Sequence, residues 1–192
     1  MHKKLHDKQY THYWLKGGRG STKSSFVSIE IINGIMQDKN ANAVAIRKVG
    51  VYLKDSVYEQ LVWAIEQLGV SHLWKQKLSP LELVYKPTGQ KILFRGADKP
   101  QKLKSTKVSR GYLKYIWYEE TAEFNGIEEI RNINQSLMRG GSDFVVFYSY
   151  NPPKSQRNWV NKYILEIDKK HNYKHHSSYL DVPPEWLGEQ FI

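Results

Sequence analysis

Two short stretches carry residues whose types and spacing suit phosphoryl chemistry. The first, LKGGRGSTKSSF (Leu15–Phe26), nearly completes the phosphate-loop pattern G-x-x-x-x-G-K-[ST]. Gly17 opens it and Lys23-Ser24 closes it, but Thr22 stands where the second glycine belongs. In such a loop the glycines, here Gly17, Gly18 and Gly20, let backbone N–H groups turn onto phosphate oxygens. Lys23 would place a point charge on the β- and γ-phosphates, and the Ser24 hydroxyl can ligate Mg²⁺ while the following helix adds its dipole. A residue with a Cβ at the Thr22 position carries an expected cost of about 1 kcal/mol. The competing reading is a Gly/Ser-rich turn that only joins strand to helix. The second stretch, YIWYEE, sets Glu119 and Glu120 after an apolar run. ATP hydrolysis at a loop of this kind needs one carboxylate to hold Mg²⁺ through water and a second to polarise the attacking water. The usual first acid is Asp, so Glu119 would reach about one C–C bond, ~1.5 Å, further. Two surface glutamates at a strand end are the plainer alternative. A third stretch, VVFYSYNPP, leaves its strand with Ser149 and Asn151, which can hydrogen-bond a γ-phosphate or the attacking water. A simple turn before Pro-Pro accounts for it equally.

These residues need elements to position them. Tyr10–Lys16 reads as a strand entering the Gly-rich turn, and Lys23–Gln37 follows with Phe26, Ile29, Ile32 and Ile35 at helical spacing. Asn42–Lys48 is a second buried strand, and residues 54–69 an amphipathic helix stopped by Gly69. LELVYKP and QKILFRG flank Pro87–Gln90 as a hairpin. Residues 112–120 and 142–153 are apolar strands separated by a helix over 126–141. Residues 155–170 are expected helical, 173–181 extended, and 183–192 the start of a helix. Strands alternating with helices imply an α/β fold with a mainly parallel sheet and helices on both faces.

Bulk properties narrow the classes further. A chain of 192 residues with 40% apolar and 13% aromatic residues can bury the core of one domain. With no cysteine there is no disulfide framework, Cys-ligated zinc or thiol nucleophile, and no window approaches the ~18 apolar residues of a membrane span. A cytosolic setting is compatible. Of the net charge of +10, Lys86–Lys114 alone carries +8, from nine basic residues against Asp98. Such a run is either a solvated face or a surface for a polyanion such as nucleic acid. Tyr10 and Tyr13 could stack on a base, though strand aromatics more often serve a core. His175 and His176 point to opposite faces of a strand and make a poor pair of metal ligands.

In order and spacing, GGRGSTKSSF, IRKVGVYLKDSVYEQ, FRGADKPQKLKS, YIWYEETAEF and YSYNPP resemble the ATPase domain of tailed-phage large terminase subunits, the DNA-packaging motors. The similarity runs from about Tyr10 to the C-terminus. It implies an additional-strand (ASCE) P-loop NTPase fold binding ATP and Mg²⁺. On this resemblance Gly17, Gly18, Arg19, Gly20, Ser21, Thr22, Lys23 and Ser24 form a working variant of the Walker A loop. Arg19 matches an arginine the family places there, and a non-glycine residue is tolerated at Thr22. Glu119 takes the Walker B position beside Ser24 as a metal ligand, Glu120 is the catalytic glutamate, and Ser149 to Asn151 form the coupling motif. Arg110, nine positions before Glu119, stands about where such motors offer an arginine to a neighbour's γ-phosphate, with Arg95 and Arg47 as other candidates. The implied partners are double-stranded DNA, a portal protein, a small terminase subunit and further copies in a homo-oligomeric ring, expected to be a pentamer. No membrane is involved, and the expected setting is the host bacterial cytoplasm, transiently at the procapsid portal. Residues 1–192 would be the N-terminal ATPase domain, with the family's RNase H-like nuclease domain expected to be absent from this chain. Two other functions fit the same motifs: a nucleic-acid-dependent ATPase of helicase type, and a P-loop module kept for DNA binding or assembly after losing catalysis.

Overall fold

The computed structural model describes residues 3, 5 and 8–182. In chain order, β1 (His12–Gly17) leads through the Gly-rich turn into α1 (Lys23–Gln37), and β2 (Ala41–Arg47) follows. A 3₁₀ turn (Gly50–Tyr52) and a π-helical turn (Lys54–Tyr58) then enter α2 (Glu59–Gln67), which ends before Gly69. Next come β3 (Trp74–Leu78), β4 (Leu81–Tyr85), β5 (Gln90–Gly96), the short α3 (Pro100–Lys104) and β6 (Tyr112–Glu119). The chain continues through a 3₁₀ turn (Thr121–Glu123), α4 (Ile127–Leu137), β7 (Val145–Tyr150), α5 (Trp159–Glu166) and β8 (Asn172–Ser177). The helix expected over 183–192 lies outside the described residues.

All eight strands join one sheet in the order β3-β4-β5-β2-β6-β7-β1-β8. From β5 to β8 neighbouring strands are parallel, whereas β3 and β4 are antiparallel additions at one edge. β7 lies between β1, which feeds the Gly-rich turn, and β6, which ends in the acids. This is the additional strand that the family resemblance implies.

Parallel strands buried on both faces read as nearly continuous apolar runs, and VVFYSY is buried at every position. Alternate residues feed two cores. Tyr13, Leu15, Ala45, Trp117 and Phe147 pack under α1 and α2, while Trp14, Ile46, Tyr118 and Tyr148 pack under α3, α4 and α5. Helices therefore cover both faces. Tyr13 is fully buried against Phe147, and Tyr10 packs on Tyr13 and Tyr173, so both rings belong to the core side of the expectation.

Several expected boundaries move. Residues 54–69 are π-helical for their first turn. Within 155–170 only Trp159–Glu166 is helical, because the Asn158 side chain caps the helix by accepting the Val160 N–H at 3.0 Å. The strand expected over 173–181 ends at Ser177, where a 3₁₀ turn takes over. β3 and α3 have no counterpart in the sequence expectation.

Candidate active site

Parallel register brings the C-terminal ends of β1, β7, β6 and β2 to one edge of the sheet. Leu15 stands beside Ser149, and Ser149 beside Glu119. Ala45 and Ile46 stand beside Trp117 and Tyr118, so that Arg47 follows next to Glu119. Gly17, Glu119, Ser149 and Arg47 thus come from distant parts of the chain to a single edge, the usual place for ligands in an open α/β sheet.

The loop from Gly17 to Thr22 wraps the N-terminus of α1. A Cβ at Gly17 would fall 2.4 Å from Ser21 Oγ and 2.7 Å from the Ser177 carbonyl oxygen, so no larger residue fits without displacing backbone. Gly20 and Thr22 have positive φ, 72° and 56°. Thr22 is left-handed with ψ 8° at the position the sequence pattern gives to glycine, and its hydroxyl donates to the Ser21 carbonyl at 2.8 Å. A β-branched residue here is a conformational outlier, and such outliers gather at functional sites. Ser21 is buried, and its hydroxyl and that of Ser177 lack hydrogen-bond partners. Gly18 and Arg19 are exposed on the outer turn.

Lys23 crosses the mouth of this loop. Its ammonium donates to Asn151 Oδ1 at 2.8 Å and to the Gly18 carbonyl at 3.3 Å. Burial lowers its pKa, and the charges of Glu120 and Glu119 oppose that shift. On a regular strand Glu119 and Glu120 would point to opposite faces. Glu120 instead has left-handed backbone, φ 51° and ψ 50°, and opens the turn Thr121–Glu123. That turn is clamped by the Thr121 hydroxyl, which donates to the Tyr118 and Ser149 carbonyls at 3.0 and 3.2 Å. The kink lets both carboxylates act on one lysine.

Glu119 and Ser24 line the same cleft, together with Asp55, Ser56, Glu59, Gln60, Trp63 and Trp117. Ser24 and Gln60 also border the cavity over the loop, so the two spaces adjoin. Burial pushes the Glu119 carboxyl up to about 7, against the pull of Arg47. Arg47 Nε lies 3.0 Å from Glu119 Oε2, yet neither atom completes a hydrogen bond. The distance is that of an ion pair while the N–H direction misses the oxygen, so opposed charge holds the two together. Among the described residues no group of three His, Cys, Asp or Glu side chains could hold a metal ion by itself. Mg²⁺ at a nucleotide is commonly held by one or two protein ligands, phosphate oxygens and waters. A serine and a buried, partly paired carboxylate in one cleft fit such a donor set.

The remaining expected residues fall elsewhere. The Ser149 hydroxyl is buried, accepts from the Trp117 indole at 2.8 Å and lies 3.5 Å from the Tyr118 carbonyl, so it ties β7 to β6 and leaves Asn151 as the residue presented to the loop. Arg110 is exposed just before β6. It lies at the opposite sheet edge, about 25 Å from Glu119 along an eight-residue strand. Arg95 is held by Thr106 Oγ1 at 2.9 Å and the Phe94 carbonyl at 2.8 Å.

The basic run divides in two. Lys91 pairs with Glu82, and Lys114 with Asp38 and Asp143, while Lys99, Lys102, Lys104, Lys107 and Arg110 are exposed. His175 and His176 are consecutive on β8, beside Leu15 and Lys16. Sequence reasoning missed the cleft-lining Gln60 and Trp63, whose helical pattern signals only packing. It also missed the place of Arg47 against Glu119 of its own chain, which depends on strand register.

Comparison with known proteins shows the family of the chain and relatives of its fold. The family described as "Phage terminase large subunit" matches residues 9–192. The large terminase subunit of Bacillus phage SPP1 is 42% identical over 189 residues, covering 96% of this chain and 44% of that protein. The chain therefore spans less than half the length of that relative. Among solved structures, the large terminase of a thermophilic bacteriophage superposes with a TM-score of 0.72 at 15% identity, over 97% of this chain and 44% of that one. The same terminase in complex with ADP gives 0.66 at 17% identity, with the same coverage of both chains. The N-terminal domain of the DNA packaging ATPase from bacteriophage phi29 gives 0.65 at 11% identity, over 95% of this chain and 97% of that one. At these identities the structural likeness is one of fold.

Proposed function

We propose, from the premise that this chain belongs to the phage terminase large subunit family, that it hydrolyses ATP to drive double-stranded DNA into a procapsid. The observation that carries this reading is the convergence on Lys23. One ammonium touches the loop carbonyl of Gly18 and the strand-end Asn151, and lies within the field of two acids.

Hydrolysis is in-line attack of water on the γ-phosphorus with departure of ADP, so the protein's part is positioning and charge neutralisation. Backbone N–H groups of Gly18 to Ser24 and the N-terminus of α1 receive the phosphates. Lys23 faces their charge, and Arg19 on the outer turn adds to it. Ser24 and Glu119 would hold Mg²⁺, which when bound neutralises charge on the β- and γ-phosphate oxygens. Glu120 orients the water and takes its proton. Phosphate binding must compete with Asn151 for Lys23, so occupancy is passed directly to the exit of β7. From there Ser149 and Thr121 tie β7 to the end of β6.

In the packaging motor these residues form the ATPase portion. The partners would be DNA, the portal protein and the small terminase subunit, with further copies in a ring at the procapsid in the host cytoplasm. No helix among the described residues is long and apolar enough to cross a membrane. The test is ATP turnover by this chain with and without double-stranded DNA, beside Lys23→Ala. The proposal expects turnover that Lys23→Ala abolishes without loss of folding. Equal rates in both proteins, or no ATP–Mg²⁺ binding by the parent, would overturn it and favour a module retained for binding or assembly.

A further inference from the structure

Arg47 ends β2 at the level where Glu119 ends β6. Ala45 and Trp117 are register partners within the core beneath α1 and α2, and two residues later Arg47 and Glu119 share that same face. The Arg47 side chain is 12% exposed and that of Glu119 15%. The guanidinium is held from several sides. Nε lies 3.0 Å from Glu119 Oε2, Nη2 donates to the Glu123 carboxylate at 3.3 and 3.4 Å, and Nη1 donates to Ser56 Oγ at 3.4 Å. The Tyr52 ring lies beneath it, 5.3 Å from the guanidinium carbon. A planar fork braced in this way is a fixed point beside a carboxylate, which a flexible lysine ammonium would not be.

The reason for a fixed point lies in the sequence. Glu at this strand end has one more methylene and one more rotatable bond than Asp, so its carboxylate can sweep a wider volume than a metal-bridging water tolerates. Glu119 Oε2 is withdrawn from solvent against Arg47, which leaves Oε1 as the oxygen available to the cleft that Ser24 lines. Resting on the ATPase reading above, we propose that Arg47 is a positioning residue that fits a glutamate to the metal-binding place by anchoring one of its two oxygens within the same chain. Arg47 does not touch nucleotide in this scheme; it acts through Glu119. The role also removes Arg47 from the candidates for an arginine offered to a neighbouring subunit, because Nη1 and Nη2 donate to Ser56 and Glu123 of its own chain and Nε faces Glu119.

The experiment measures binding of a non-hydrolysable ATP analogue with Mg²⁺ and with EDTA, for the parent, Arg47→Gln, Arg47→Lys, Glu119→Asp and the double variant Arg47→Gln/Glu119→Asp. Losing a residue that orients a metal ligand commonly costs 10- to 100-fold in metal affinity. Arg47→Gln should therefore reduce the Mg²⁺-dependent gain in affinity by about tenfold or more, while affinity in EDTA stays within about twofold. Arg47→Lys should fall between. In the Glu119→Asp background the same removal should cost less than about threefold, since a shorter side chain needs no anchor. Thermal melts of every variant separate positioning from folding, and if Arg47→Gln fails to fold, the Arg47→Lys comparison stands in its place. An unchanged Mg²⁺ dependence in Arg47→Gln, equal losses with and without Mg²⁺, or the same loss in the parental and Glu119→Asp backgrounds would overturn the proposal. A parent that binds no nucleotide would instead overturn the ATPase reading on which it rests.

Discussion

Thr22 allows the strain in the loop to be measured apart from packing, because the residue is exposed and its hydroxyl donates only to the adjacent Ser21 carbonyl. Its backbone sits at φ 56° and ψ 8°. A non-glycine residue in such a region costs of order 1–3 kcal/mol. Thr22→Gly releases that strain, loses a half-buried hydrogen bond worth about 0.5–1.5 kcal/mol, and makes the unfolded chain freer by about 0.4–1 kcal/mol. These opposing effects nearly cancel, leaving a net change between a loss of about 1.5 and a gain of about 2 kcal/mol, centred close to zero. Thr22→Ala loses the same hydroxyl but keeps a Cβ in the left-handed region, so it should be destabilised by roughly 0.5–1 kcal/mol. The gap between the two variants, about 1 kcal/mol, is the diagnostic quantity, since the hydroxyl is absent from both. Urea denaturation with a common m-value reads it directly. A thermal melt should separate them by about 2–4 °C for a chain of this size. Turnover by Thr22→Gly should be unchanged or mildly raised. An alanine variant as stable as the glycine variant would show that the loop does not impose this conformation in solution.

Other outcomes follow from the same geometry. Glu119 is raised to about 7 by burial, so the fold retains a proton that the unfolded chain releases, and stability should fall as pH rises from about 4.5 to 7. His12, lowered to about 4 by its buried position, acts with the opposite sign up to about 6.5. Denaturation of the parent and Glu119→Gln at pH 5 and pH 8 cancels the His12 effect; the advantage of the glutamine variant should grow with pH by up to roughly 3 kcal/mol, and a constant difference would contradict the assignment. Charge reversal at Lys102, Lys104 and Lys107 should weaken double-stranded DNA binding and flatten its salt dependence; unchanged binding would return this face to solvent. Arg110, far from its own Lys23, should act only between subunits. Turnover should rise more than linearly with concentration, Arg110→Ala should lose that rise, and mixing it with Glu120→Gln should restore some activity. A turnover number independent of concentration in both proteins would exclude Arg110.

The central sheet was legible because its chemistry sits where the sequence changes character. Apolar runs stop at Gly17, Glu119 and Asn151, which mark the C-terminal ends of β1, β6 and β7. The α1 face was legible from its spacing. β3 was not, because an edge strand reading WKQKL exposes most of its residues and lacks a core pattern. Five-residue α3 is too short to show a helical period. Strand order leaves no local trace, so the placing of Arg47 beside Glu119 could not be read from either segment alone. The left-handed backbone of Glu120 was equally hidden, since nothing in YIWYEE signals that the chain turns at its second acid. Asn151 reads in the sequence as a contact to the γ-phosphate or the attacking water, or as a turn before Pro-Pro, and in the structure its amide oxygen accepts from the ammonium of Lys23.

If Glu120 does chemistry while Lys23 and Glu119 secure the nucleotide, one measurement separates these roles. Glu120→Gln is compared with the parent for ATP–Mg²⁺ affinity and for single-turnover hydrolysis, on the same preparation. Affinity should stay within about twofold of the parent while hydrolysis slows by about 10²-fold or more, as expected when a water-orienting base is removed. Parental hydrolysis by Glu120→Gln, or a loss of affinity that accounts for the whole loss of rate, would contradict this division of roles.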